Sequence, residues 1–385
     1  MILSLLACLS EKPAPVGGSD TGASGDSADS GESGTETGES GIDTNDSGDS
    51  GDSGDTAEDP LEITVFGKDQ GVPNANWYGL SVAPDGSIWG ATDQGLIHFD
   101  GTTERTYKAV DGLLTDTPHS VLAHSDGTIW VGHLGTDARQ GEHLSVNEEG
   151  SLTLIQAIDY TESTEITTVY RLREQPYGAG KGDVWMGTNE GVCVWDADLN
   201  VFAEHAHPTH PHSASMGVGF TSEADIWNAD QYQLSRWRYS NDGNLSPAVI
   251  ASGGDMLEYW TEWPVEVGVD TIGSSDLDAE GETVWVSSWT LGVAKVIVGA
   301  DTGTSTTTLL PAPATATSIR VGSSHKVWVG TVTGLYLIDP TTDAASQIGA
   351  GWLPNQYVQQ LATRNGVMWV ATPFGLVRVV GTPTE

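Results

Sequence analysis

Four histidines fall close together at His205, His207, His210 and His212, interleaved with Ala206, Pro208, Thr209 and Pro211. Imidazole is a good donor to zinc, copper or nickel. Strict extension puts the first pair opposite the second, and the two prolines can bend the segment enough to gather three rings. A divalent transition metal is therefore one expectation here, and a polar exposed loop the other. A second group of residues is aromatic and amide-rich. Trp77, Tyr259, Trp260, Trp263, Trp289, Trp352 and Phe374 stand with Asn76, Asp116, His119 and Asn355 at places where connecting loops are expected. Flat rings stack on sugar faces, and amides and carboxylates pair with hydroxyls. Trp260 and Trp263, expected in one loop, lead this group. No G-x-S-x-G, H-E-x-x-H, C-x-x-C or phosphate-loop pattern occurs. The expected function is thus non-catalytic binding of a small molecule or glycan, with no cofactor required. A hydrolase or lyase, and a protein-binding scaffold, are the alternatives.

These residues hang on a repeat. Trp89, Trp130, Trp185, Trp227, Trp285, Trp328 and Trp369 recur in short apolar runs such as GSIWGATDQGLIHFD and HKVWVGTVTGLYLID. Four of the spacings are 41, 42, 43 and 41 residues, and the two longer ones are 55 and 58. A period of about 40–45 residues with one Trp per unit is the signature of a β-propeller. Two residues after each Trp stands Ala91, Gly132, Gly187, Ala229, Ser287, Gly330 or Ala371. In a strand those two positions share a face, so each unit presents a large ring beside a gap. Gly95, Gly191, Gly292, Gly334 and Gly375 follow shortly and permit the positive φ of a hairpin turn.

The expected fold is therefore all-β, a seven-bladed propeller of four-stranded blades over residues 60–385. Inner strands are expected near Trp77, His119, Ile166, Ser213, Val267, Thr315 and Tyr357, and outer strands near Thr103, Ser151 and Asn200. The extra length between Ala251 and Val265 reads as loop. The last unit has no room for a fourth strand, so the isolated run Leu61–Phe66 is expected to close it and remove two open sheet edges.

The formal net charge is −38, from 15 Lys and Arg against 53 Asp and Glu. Nucleic-acid binding rests on cationic neutralisation of phosphates and is excluded. Attraction to anionic lipid is disfavoured too, and the ligand is expected to be neutral or cationic. Residues 19–59 hold thirteen acids and no base among Gly, Ser and Thr. That composition predicts a disordered, self-repelling linker. Cys193 is expected to be a small buried hydrophobe.

Leu5-Leu6-Ala7-Cys8 resembles the lipobox of bacterial lipoproteins, which implies lipidation at Cys8, a signal and anchor over residues 1–18, and an outer-membrane lipoprotein. Membrane contact is expected only through that anchor. Asp111-GLLTDTPHSVLAHSDGTIWVGH and Val327-WVGTVTGLYLIDP resemble the two-component regulator propeller repeats. That resemblance implies an extracytoplasmic, sensor-like propeller that reads a glycan or another small extracellular ligand.

Overall fold

The computed structural model describes residues 61–135, 140–159, 166–178, 180–197, 201–205, 214–221, 225–230, 234–238, 258–260, 274–299 and 304–381. The expectations for Cys8, for the acidic segment 19–59, and for Trp263, His207, His210 and His212 lie outside these residues.

Seven antiparallel four-stranded sheets succeed one another along the chain. Blade 1 begins with Trp77–Val82, blade 2 with Ser120–Ala123, blade 3 with Val169–Glu174 and blade 4 with Ser215–Phe220. Blades 5, 6 and 7 begin with Ser274–Glu280, Ser318–Val321 and Gln360–Arg364. These inner strands pack each on the next, and that of blade 7 packs on that of blade 1, so the ring closes. The outer strand of blade 7 is Glu62–Phe66, paired from Glu62↔Val380 to Phe66↔Leu376, as the missing fourth strand implied. Phe66 stacks on Trp369 at 5.6 Å and meets the edge of Phe99 at 5.1 Å. The closing strand thereby joins the cores of blades 7 and 1.

All seven repeat tryptophans lie in second strands and none is more than 4% exposed. The gap beside each has a direct cause. A Cβ on Gly132 would stand 2.7 Å from Val169 Cβ of blade 3, and one on Gly187 would stand 2.5 Å from the Ser215 carbonyl of blade 4. One on Gly330 would meet Val358, which leads into blade 7, at 2.6 Å. The small position is thus where the next blade's inner strand presses in. Next to this small level runs an aliphatic one: Leu80, Val121, Leu172, Val218, Leu277, Ile319 and Leu361, all buried. Gly187→Ala is expected to cost about 1–3 kcal/mol, because a backbone carbonyl rather than a flexible side chain must yield. Urea unfolding of this variant beside the parent measures it; an unchanged midpoint would refute the packing account.

Two elements differ from expectation. The inner strand of blade 5 begins at Ser274, not near Val267. Its sequence, SSDLDAE, looks too polar for an inner strand, and its Asp276 turns out to meet arginines at the axis. Glu258–Trp260 is the outer strand of blade 4, paired as Leu234↔Trp260 and Ser235↔Tyr259, and not part of a loop. Tyr259 and Trp260 are thereby at the rim of the ring. Their side chains, with that of His205 in the outer strand Val201–His205, lie outside the description. Cys193 is buried, 1% exposed. Among the described residues no helix is long and apolar enough to cross a membrane.

Candidate functional site

The inner strands start at the face that carries the connections between blades. The registers of blades 1, 3, 4 and 5 slip near that end, between Trp77 and Gly79, Val169 and Arg171, Ser215 and Gly217, and Ser274 and Asp276. A bulge leaves one residue unpaired and re-aims its side chain. In blades 1 and 3 that residue is Tyr78 and Tyr170. In blade 2 the matching position is His119, one residue before the strand. The rings of Tyr78 and His119 stack at 5.2 Å, and His119 meets Tyr170 edge-on at 5.8 Å. They form an arc across three blades.

Burial, and secondarily Arg171, pushes the His119 imidazole down to about 4. It is neutral at neutral pH, and its buried Nδ1 has no hydrogen-bond partner among the described residues. Burial raises the Tyr78 hydroxyl, helped by Asp93 and Tyr357, and burial raises that of Tyr170. Beside the arc, Asn76 donates to Asp93 from its backbone at 2.9 Å and its amide at 2.8 Å. Gln359 donates to the Asn76 amide oxygen at 3.1 Å and accepts from the Trp77 backbone at 3.0 Å. The mouth of the ring is therefore uncharged and aromatic on one side, and polar on the other.

The sequence-predicted residues divide. Asn76 and His119 are at this mouth. Trp77 is not: only 2% exposed, its ring lies against Gly90, so it is core and the expectation of a face residue is corrected. Trp289 and Phe374 are 43% and 51% exposed at hairpin tips between second and third strands, on the same face. Trp352 packs partly against the core of blades 6 and 7. Asn355 accepts from the Tyr357 backbone at 2.7 Å, and Asp116 from the Ala109 backbone at 2.8 Å, so both hold turns. Sequence reasoning missed Tyr78, Tyr170 and Gln359. Repeat register was the available signal, since Tyr78 stands as far before Trp89 as His119 does before Trp130. Among the described residues no group of three His, Cys, Asp or Glu is placed to hold a metal.

Next to the mouth a buried relay crosses blade 2. His133 Nε2 lies 2.8 Å from Glu142 Oε2, and His133 Nδ1 lies 2.9 Å from the Thr115 hydroxyl. With its proton on Nε2, His133 donates to Glu142 and accepts from Thr115. Both His133 and Glu142 are fully buried.

Beneath the mouth the axis is crossed by arginines. Arg171 of blade 3 donates to Ser275 O of blade 5 at 2.7 Å and to Tyr78 O of blade 1 at 3.3 Å. It and Arg173 reach across blade 4, whose inner strand has Gly217 and Gly219 at the facing positions. Asp276 of blade 5 is fully buried and receives Arg173 at 3.2 Å and Arg320 of blade 6 at 2.6 Å. Burial would raise its carboxyl, but Arg320, Arg171 and Arg173 outweigh that and hold it well below the usual carboxylate range. Burial, then Arg320, pushes Arg173 down to about 10.

No protein-family profile matches this sequence, and no curated protein matches it. Solved structures do share its fold. Virginiamycin B lyase from Staphylococcus aureus superposes with a TM-score of 0.61 at 12% identity, over 83% of this chain and 99% of that one. The extracellular domain of the hybrid two-component system BT3049 from B. thetaiotaomicron does so at 0.60 and 14% identity, over 83% of this chain and 41% of that one. PorZ, a surface component of the type-IX secretion system of Porphyromonas gingivalis, does so at 0.54 and 13% identity, over 84% of this chain and 39% of that one. At such identities the likeness establishes the β-propeller fold.

Proposed function

We propose that this propeller is a non-catalytic, extracytoplasmic binding protein, sensor-like in the manner of the two-component regulator propellers, that seats a neutral extracellular ligand such as a glycan over its mouth. The observation that carries this reading is the Tyr78–His119–Tyr170 aromatic arc beside Asn76, Asp93 and Gln359. Ring faces next to amides and a carboxylate suit a sugar's apolar face and its hydroxyls. Support also comes from the shared fold of the BT3049 extracellular domain and the surface protein PorZ. Attachment through a lipid on Cys8 belongs to the same proposal. So does a transition metal at His205, His207, His210 and His212, which lies apart from the mouth in sequence.

Glycan-array screening followed by calorimetry tests the reading. Tyr78→Ala is expected to weaken binding of the selected saccharide about tenfold without shifting the melting temperature, since a stacking ring contributes about 1 kcal/mol or more. Phe374→Ala, at a hairpin tip, is expected to leave affinity unchanged. The reverse pattern would move the ligand outward onto the hairpin tips. No saccharide binding at all would favour a protein-binding scaffold instead.

The Thr115–His133–Glu142 relay favours a second reading, a hydrolase, because hydroxyl, imidazole and carboxylate stand in nucleophile, base and orienting positions. Its histidine is fully buried, which places it behind the surface rather than in it. Release of a cleaved product by the parent, and not by Thr115→Ala, would establish that reading.

A further inference from the structure

The axial network holds more hydrogen-bond donors and more positive charge than it can satisfy. Asp276 is saturated. Its Oδ1 accepts from Arg173 and from the Leu277 backbone at 3.0 Å, and its Oδ2 accepts from Arg320 and from Ser318 at 2.9 Å. A carboxylate has lone pairs for about four such bonds. The other carboxylate at this level, Asp278, is turned to the backbone, accepting from Ala279 at 3.0 Å and Val321 at 2.9 Å. Three guanidiniums therefore face two carboxylates, of which Asp276 is fully committed and Asp278 is turned to the backbone.

The donors left over are specific ones. Arg171 is 9% exposed, and its Nε has no hydrogen-bond partner among the described residues, standing 3.8 Å from Asp276 Oδ1. Arg173 spends one hydrogen bond of its donor fork on Asp276. Its side chain is also the most open of the three, 23% exposed against 11% for Arg171 and 6% for Arg320. At that level the inner strands of blades 1 and 7 carry the short side chains Ser81 and Ala362, and that of blade 2 carries Leu122. A group that closes the deficit must be anionic, must accept several hydrogen bonds, and must be compact. Guanidinium forks match planar oxyanions in geometry as well as charge.

We propose that the axial arginines Arg171, Arg173 and Arg320 form an oxyanion site that takes a small carboxylate, free or as the acidic group of a larger molecule. The site lies beneath the mouth and does not depend on what the mouth binds. The overall charge of −38 does not oppose it. Water screens distant surface carboxylates over about a Debye length, whereas the guanidiniums contact the ligand in a desolvated setting where charge pairs are strongest.

The test is calorimetry on the full chain in chloride-free buffer with D-gluconate and D-glucitol, which differ only in carboxylate against hydroxymethyl. Gluconate is expected to bind about tenfold or more tightly than glucitol, the difference a charge-assisted hydrogen bond makes. Arg173→Gln is expected to abolish that preference in a protein that remains folded, since Arg320 still pairs with Asp276. Acetate and inorganic phosphate, titrated separately, distinguish a free carboxylate from a phosphate as the preferred oxyanion. Equal affinity for gluconate and glucitol, no binding of any of the three anions, or an unchanged preference in a folded Arg173→Gln would each overturn the proposal. Glucitol or glycan binding without anion binding would overturn this site and leave the mouth reading standing.

Discussion

Asp276→Asn is expected to destabilise the propeller by about 3–5 kcal/mol, the cost of breaking a buried pair and leaving its partners charged. The substitution keeps the shape of the side chain and removes its charge. Arg173 and Arg320 then lose the carboxylate that both touch, and Arg171 loses its nearest counter-charge. Because these residues come from blades 3, 5 and 6, the loss loosens the ring at its centre and not one blade alone. The pH dependence has a definite sign. Unfolded, Asp276 titrates near the ordinary value of about 3.9; folded, it titrates well below. Its stabilisation is therefore complete above about pH 5 and is lost as pH falls through the unfolded value towards the folded one. Urea titrations of parent and variant at neutral pH and near about pH 3 measure both effects. The gap between them should narrow in acid. A gap under about 1 kcal/mol at neutral pH would mean that the network contributes little to stability.

Deleting Glu62–Phe66 is expected to have the larger effect, exceeding about 5 kcal/mol and so approaching the whole stability of an ordinary domain. The deletion strips the strand Gly375–Val380 of its backbone partners on the outer side and opens a sheet edge. It also removes Phe66 from between Trp369 and Phe99, and Ile63 from the cluster of blades 6 and 7. Loss of a fully buried phenylalanine costs about 3–5 kcal/mol, and the partly buried Phe66 contributes a share of that. Deleting residues 19–59 instead should leave the melting temperature near that of the parent. Thermal melts and sedimentation of the two truncations decide the matter. Equal melting would mean that ring closure does not depend on the N-terminal strand.

Several features of the ring were legible because they are local rules repeated from blade to blade. A tryptophan beside a small residue records the pressure of the neighbouring inner strand. Thr92, Thr188, Thr331 and Thr372 each donate to the carbonyl of a hairpin glycine three residues on, and Gly95, Gly334 and Gly375 have φ of 139°, 148° and 145°. The closing strand was legible as an arithmetic deficit in the last unit. None of this needed knowledge of which blades are neighbours.

The candidate sites were legible only in part. Asn76 and His119 were found, but Trp77 was drawn to the mouth by its type, and only packing shows that its ring turns into the core. Glu258–Trp260 carried loop-like surroundings, and a strand this short is recognised only by the partner that pairs with it. Composition set the global charge and so suggested a neutral or cationic ligand. The cationic axis depends on residues such as Arg171 and Ser275, or Arg173 and Asp276, which are 104 and 103 positions apart. The sequence by itself determined the blade, its repeat and its closure, because those follow from side-chain size and backbone freedom within one unit. Only the tertiary structure decided where charge is concentrated, because closing the ring brings inner strands from opposite sides to a common axis, out of water.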